Sequence, residues 1–84
     1  MVPSSSVVIV DRSDEAREVL RTALQRRGVR IFEASRADDG LELARSCHPD
    51  LIVLDLETAP ADDGPAAAEF AAVADSRQAP LVLL

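Results

Sequence analysis

Two aspartates that directly follow apolar runs are the most informative chemical feature of this sequence. Asp11 follows the VVIV run at residues 7–10, and Asp55 follows the LIVL run at residues 51–54. Continuous apolar runs of this length are typical of parallel strands that are buried on both faces. In an open parallel α/β sheet, ligands bind beyond the carboxyl ends of the strands. We therefore expect both carboxylates to lie at a ligand-binding edge.

The chemistry available there depends on whether the two strands are neighbours. If they are, the carboxylates of Asp11 and Asp55 face each other, which is unfavourable without a compensating cation. A hard divalent ion such as Mg²⁺ takes oxygen ligands and can neutralise the charge of a phosphoryl group that arrives at a carboxylate. The alternative is that both acids only end their strands and cap the loops that follow.

Helical patterns fill the segments between the strands. Ser13 is the predicted N-cap of the first helix, Asp14 and Glu15 suit its first turn, and Gly28 follows its end. In the second helix, Ser35 is the predicted cap, and Gly40 weakens the helix by up to about 1 kcal/mol relative to alanine. The predicted apolar positions are Ala16, Val19, Leu20, Ala23 and Leu24 in the first helix, and Ala37, Leu41, Leu43 and Ala44 in the second.

A third helix and two further strands complete the predicted order. Pro65 suits the first position of the third helix, whose predicted inner stripe is Ala66, Ala67, Phe70, Ala71 and Ala74. Residues 29–34 and 81–84 read as the second and fourth strands. The order β-α-β-α-β-α-β predicts one α/β domain over residues 1–84, with a parallel sheet and right-handed crossovers.

Composition narrows the functional classes. The chain has 84 residues, is 48% hydrophobic, carries a net charge of −6 and contains no lysine. These values favour a packed domain and argue against nucleic-acid binding by this segment. No segment approaches the roughly 18 apolar residues of a membrane span, and the first residues do not resemble a signal peptide. Cys47 is the only cysteine, so we expect a reducing, cytoplasmic environment.

Three other features have less specific interpretations. Cys47-His48 could be half of a metal site, but the sequence has no second such pair, so we expect a small buried thiol near a helix end beside a histidine that the helix dipole favours. Asp62-Asp63 is either a solvated loop pair or a metal contact. The three glycines lie too far apart for a phosphate-binding loop, which argues against a nucleotide-binding enzyme.

The sequence resembles the receiver domains of bacterial response regulators in four places. These are the motif PDLIVLDL at residues 49–56, the segment VVIVD at residues 7–11, the helix ending at Gly28 and the pair Asp63-Gly64. The resemblance covers nearly the whole chain and implies a flavodoxin-like sheet with strand order 2-1-3-4. It also implies a signalling rather than an enzymatic role.

The same resemblance implies roles for individual residues. Asp55 would accept a phosphoryl group from a histidine kinase or a phosphotransfer protein. Asp11 would be the first member of an acidic pair that binds Mg²⁺, with Asp55 as a further ligand. Glu57 lies where the family uses a backbone carbonyl for the metal, and its side chain could add a ligand.

Two departures from the family pattern favour a second hypothesis. Arg12 replaces the second acid of the pair, and a guanidinium cannot ligate a cation. Arg12 could instead pair with Asp55, so we expect weak or absent Mg²⁺ binding. The sequence also ends with the fourth strand, where the family has further elements, which predicts an incomplete sheet with an apolar edge covered by a homodimer or domain-swapped partner. Both departures favour a pseudo-receiver, a protein-interaction or dimerisation module that works without phosphorylation.

Overall fold

Strands and helices alternate along the whole described chain. The structure is a computed structural model that describes residues 5–55 and 66–84. Its elements are β1 (Ser6–Val10), α1 (Asp14–Gln25), β2 (Arg30–Ala34), α2 (Ala37–Cys47), β3 (Leu51–Leu54), α3 (Ala66–Arg77) and β4 (Leu81–Leu83). The predicted β-α-β-α-β-α-β order is therefore confirmed.

The four strands form one parallel sheet in the order β2-β1-β3-β4. This is the predicted order, and it makes β1 and β3 neighbours. In the register, Val10 pairs with Ala34 of β2 on one side and with Leu54 of β3 on the other. The carboxyl ends of the three strands therefore lie side by side.

The sheet is buried on both faces because β1 and β3 are apolar at every position after Ser6. The larger core layer joins the sheet to α2 and α3, and consists of Val8, Val10, Leu41, Ala44, Ile52, Leu54, Phe70 and Ala74. On the opposite face, Val7, Ile9 and Val53 pack against Leu20 and Leu24 of α1, among other residues. The period-2 alternation of a strand explains why residues next to each other in sequence enter different layers.

The start of α1 is formed as predicted. The Ser13 hydroxyl oxygen accepts a hydrogen bond from the Ala16 amide at 3.2 Å, as an N-cap serine should. The helix ends with Arg26 as the C-cap, two residues before the predicted Gly28. Gly28 follows in the left-handed region at φ 71°, which suits a residue without a side chain.

The start of α2 differs from the sequence prediction. Its N-cap is Arg36 rather than Ser35, and no side chain caps the helix. The backbone decides this, because Arg36 is still extended while its carbonyl oxygen already accepts the Gly40 amide at 3.0 Å. The C-cap of the helix is His48, which takes the left-handed conformation before Pro49. The predicted buried thiol of Cys47 is in fact partly exposed.

The inner face of α3 also differs in part. Phe70 and Ala74 are buried as predicted, but Ala71 is exposed and Val73 is the partly buried neighbour. A spacing of three and four residues from Phe70 selects Val73 and Ala74, which explains the difference. The predicted role of Pro65 and the side chains of Ala66 and Ala67 lie outside what the structure describes.

β4, which forms the edge of the sheet opposite β2, is short and apolar. Leu81 is partly buried, whereas Val82, Leu83 and Leu84 are 41%, 50% and 58% exposed. Within the described residues, β4 pairs with β3 alone. None of the described helices is long and apolar enough to cross a membrane.

Candidate functional site

The parallel register brings Asp11 and Asp55 to adjacent strand ends. Each follows one member of the Val10–Leu54 pair. The Asp55 amide donates to the Val10 carbonyl oxygen at 2.9 Å, and the Asp11 amide donates to the Ala34 carbonyl oxygen at 3.0 Å. Neighbouring strands lie about 4.8 Å apart, so the two aspartates are side by side at the carboxyl edge. The structure therefore confirms the predicted placement of these two residues.

The environments of the two acids differ. Asp11 is 7% exposed and is the one buried charged residue among those whose burial the structure describes. A buried carboxylate is costly unless polar groups compensate it. Here the Asp11 Oδ1 atom accepts a hydrogen bond from the Ser13 amide at 2.8 Å. Asp55 is partly buried. Asp11 is therefore a buried residue with an anchored carboxylate, whereas Asp55 is only partly buried.

A cationic side chain lies in the same turn. Arg12 directly follows Asp11, precedes the N-cap of α1 and is exposed. Glu57 and the pair Asp62-Asp63 belong to residues 56–65, outside the described part of the chain. The predicted metal contact of Glu57 therefore stays a prediction, and the choice between a solvated loop pair and a metal contact stays open for Asp62-Asp63.

Arg17 is a residue of this site that the sequence reasoning missed. Its Nε atom donates to the Asp11 carbonyl oxygen at 2.8 Å. Its guanidinium also contacts Asp14, and its Nη1 atom lies 3.7 Å from Glu33 Oε1 in β2. The available signals were the Asp14–Arg17 spacing in a helix and the presence of an acid in the second strand.

Glu33 is shared with a second arginine of α1. Arg21 Nη1 lies 2.7 Å from Glu33 Oε2. This hydrogen bond, together with the negative charge of Glu33, holds the pKa of the Arg21 guanidinium above its ordinary value. At the nearby start of α2, the hydrogen bond from Arg36 holds the pKa of the Asp38 carboxyl below its ordinary value. Arg21–Glu33 and Arg36–Asp38 are thus two ion pairs at the elements next to the carboxyl edge.

Comparison with known proteins identifies the family. The family model described as "Response regulator receiver domain" matches residues 7–83, which is nearly the whole chain. The chain belongs to the response regulator receiver domain family. The resemblance of the PDLIVLDL motif to that family is therefore confirmed.

One curated relative of this receiver domain is the KDP operon transcriptional regulatory protein KdpE of Escherichia coli (strain K12). The two are 46% identical over 52 residues, which are 62% of this chain and 23% of KdpE. The receiver chain thus spans about a quarter of the length of this relative.

Solved structures confirm the receiver fold. A receiver domain protein (CheY-like) from Methanospirillum hungatei JF-1 superposes with a TM-score of 0.80 at 17% identity, covering 96% of this chain and 63% of the other. A response regulator from Burkholderia pseudomallei was solved with a phosphorylated aspartic acid, calcium ion and citrate. It superposes with a TM-score of 0.77 at 21% identity, covering 95% of this chain and 46% of the other. The complex of the histidine kinase ThkA with the response regulator protein TrrA contains a chain that superposes with a TM-score of 0.70 at 24% identity, covering 94% of this chain and 66% of the other.

The donor set of this receiver suits a hard divalent cation only in part. Asp11 and Asp55 supply carboxylate oxygens at one edge, and oxygen is the ligand that Mg²⁺ and Ca²⁺ take. Within residues 5–55 and 66–84, however, no cluster of three or more His, Cys, Asp or Glu side chains could hold a metal ion. Arg12 adds a positive charge to the same turn. The described residues thus provide two carboxylates at the edge and one cationic side chain in the same turn.

Proposed function

We propose that this receiver domain is a phosphorylation switch of a two-component system, with Asp55 as the phosphoryl acceptor. The observation that carries the proposal is the register of β1 and β3, which places Asp55 at the carboxyl edge beside the buried Asp11. The donor would be a phosphohistidine of a histidine kinase or a phosphotransfer protein. The ThkA–TrrA complex supports this, because a similar fold there binds a histidine kinase.

The transfer needs one nucleophilic oxygen and charge stabilisation. A carboxylate oxygen of Asp55 attacks phosphorus, and the bond from phosphorus to the histidine nitrogen breaks. The electron pair stays on that nitrogen, which takes a proton from solvent. Phosphoryl transfer depends mainly on positioning and electrostatic stabilisation. The accepting oxygen must therefore be held at a defined place, and the backbone hydrogen bond from Asp55 to Val10 fixes the main chain that carries it.

A divalent cation is the proposed source of that stabilisation. Asp11, Asp55 and Glu57 would hold Mg²⁺, which would neutralise the charge that builds up on the phosphoryl oxygens. The calcium ion in the Burkholderia pseudomallei protein supports a cation site in this fold. Arg12 opposes binding electrostatically, so we propose that affinity is weak. The phosphorylated edge would then signal through a changed interaction surface.

The proposal predicts that the chain takes up one phosphoryl group from acetyl phosphate in the presence of Mg²⁺. Intact-mass spectrometry should show one adduct on the wild-type chain and none on Asp55→Asn, which removes the nucleophilic carboxylate but keeps the size of the side chain. Asp50→Asn is the matched control. Asp50 lies just before β3 at the opposite edge, where its Oδ2 atom accepts the Ser6 amide at 2.8 Å, and an asparagine oxygen can replace this acceptor. An adduct that persists in Asp55→Asn would contradict the assignment.

A pseudo-receiver is the second candidate function, and Arg12 is the observation that favours it. Arg12 stands where the family has the second acid of its pair, and its guanidinium is always charged. It therefore supplies positive charge at the edge without a metal ion. If it pairs with Asp55, the domain would hold one conformation and act as a protein-interaction module. Absence of any adduct with both acetyl phosphate and a phosphorylated histidine kinase would favour this candidate over the switch.

We also propose that a second copy of the chain covers β4. An apolar strand edge readily pairs with another strand, and Val82 and Leu83 are 41% and 50% exposed there. Sedimentation equilibrium at micromolar concentration should show a dimer that dissociates in Leu83→Lys, because lysine on an edge strand opposes pairing. Val19→Lys, which replaces an exposed valine of α1, should leave the dimer intact. A monomeric wild-type chain would rule out this interface.

A further inference from the structure

One arginine of α1 is bonded to the turn that carries the acidic edge. Arg17 lies in the first turns of the helix, yet its side chain is only 16% exposed. The Nε atom donates to the Asp11 carbonyl oxygen at 2.8 Å. This bond fixes the peptide group between Asp11 and Arg12, and so limits where both side chains can point. The sequence spacing alone would not predict such a contact.

Two hydrogen bonds donated by backbone amides also stabilise this turn. The Ser13 amide donates to Asp11 Oδ1 at 2.8 Å, and the Arg17 amide donates to the Ser13 carbonyl oxygen at 3.1 Å. Arg17 therefore holds the first residue of the turn with its side chain and the last with its backbone. The three residues from Asp11 to Ser13 are tied to the first turn of α1 at both ends.

A carboxylate of β2 lies close to the same guanidinium. Glu33 Oε1 lies 3.7 Å from Arg17 Nη1 and is buried without a hydrogen bond within the described residues. Its partner atom Oε2 is bound by Arg21 Nη1 at 2.7 Å. Arg21 therefore helps to keep Glu33 in place, while only Arg17 of the two reaches Asp11. This difference provides a matched pair of variants.

We propose that Arg17 is a positioning residue for the phosphoryl-accepting edge. It sets the conformation of the turn from Asp11 to Ser13, and thereby the placement of the Asp11 carboxylate and of Arg12. The planar guanidinium is needed because Nε meets a carbonyl oxygen while the Nη atoms meet carboxylates. A lysine has one ammonium group and cannot span both. The link to phosphoryl transfer rests on the proposed function, whereas the effect on the turn does not.

The first test measures amide hydrogen exchange by NMR in Arg17→Gln, Arg17→Lys and the control Arg21→Gln. We expect exchange of the Ser13 amide to accelerate by roughly tenfold in both Arg17 variants, as for loss of one charge-assisted hydrogen bond. In Arg21→Gln it should change by less than about twofold, since that variant keeps the bond to Asp11. The Val8 amide in the core of β1 serves as the reference for global stability, and Ser13 rates are compared after correction for it.

Two results would overturn the proposal. One is a Ser13 exchange rate that does not change in Arg17→Gln. The other is an equal acceleration in Arg21→Gln, which would show that the whole α1–β2 contact matters rather than the bond to Asp11. Full rescue by Arg17→Lys would also overturn it, because charge alone would then be sufficient.

The second test measures the rate of phosphoryl uptake from acetyl phosphate. We expect Arg17→Gln to be slower than Arg21→Gln by roughly tenfold, since misplacing a reacting group lowers the rate strongly. If the wild-type chain takes up no phosphoryl group, the proposed switch fails while the exchange measurement still decides the role of Arg17. Uptake at equal rates in the two variants would remove Arg17 from the mechanism.

Discussion

Replacing Arg12 by aspartate is expected to strengthen Mg²⁺ binding by roughly 10- to 100-fold, or about 1.4 to 2.8 kcal/mol. The substitution removes a positive charge beside Asp11 and adds a carboxylate in the same exposed turn. Both changes favour a divalent cation at the carboxyl edge. The new carboxylate can also ligate Mg²⁺ directly through its oxygen atoms, whereas the guanidinium that it replaces cannot.

Isothermal titration calorimetry of the unphosphorylated chain measures this affinity without reference to activity. Arg27→Asp is the control, since it makes the same charge change at an exposed residue beyond the far end of α1. Both variants change the net charge from −6 to −8, because arginine to aspartate lowers the charge by two. An equal gain in Arg27→Asp would assign the effect to net charge, and no gain in Arg12→Asp would place the cation site elsewhere.

Replacing Gly40 by alanine is expected to lower the free energy of unfolding by about 1–3 kcal/mol. An exposed glycine in a helix would give the opposite sign, because alanine has the higher helix propensity by about 1 kcal/mol. Gly40 is buried, however, and an added Cβ atom would lie 2.4 Å from Val10 Cγ2. Val10 is fully buried in β1 and β-branched, so it cannot move aside easily. Overpacking therefore outweighs propensity.

Urea denaturation followed by circular dichroism measures this difference. Glu42→Ala, at an exposed position of the same helix, should change stability by less than about 0.5 kcal/mol. The contact itself is tested by placing Gly40→Ala in a Val10→Ala background, where the new methyl group has room. The cost of Gly40→Ala should then be smaller, whereas an unchanged cost would show that the clash with Val10 is not its cause.

Gly40 also shows where sequence reasoning loses information. From the sequence, glycine at this position only weakens a helix, and the predicted helix formed nonetheless. The close approach of α2 to β1 depends on how two elements pack, and a residue pattern along one helix does not contain that distance. The same limit explains Ser35, which is a good capping residue by type, although the backbone places Arg36 at the cap position.

Arg17 and Glu33 show the limit for the candidate site. Neither residue departs from the pattern of an exposed helix position and an outer strand. Their connection to Asp11 arises because α1 folds back over the sheet beside β2, which brings together residues that are distant in sequence. Interactions of this kind depend on tertiary packing. The sequence therefore predicted Asp11 and Asp55 at the carboxyl edge, but not the contacts of Arg17 and Glu33 beside them.

The sequence by itself determined the order of elements and the position of Asp11 and Asp55 at strand ends, and its resemblance to receiver domains implied the strand order that the structure has. The first two follow from local rules, because apolar runs specify buried strands and parallel strands place their carboxyl ends at one edge. Only the tertiary structure decided that Asp11 is buried, that Arg17 binds its carbonyl oxygen and that Gly40 lies against Val10. Burial and contact distance depend on how helices pack on the sheet, and this packing is a property of the whole domain rather than of any one segment.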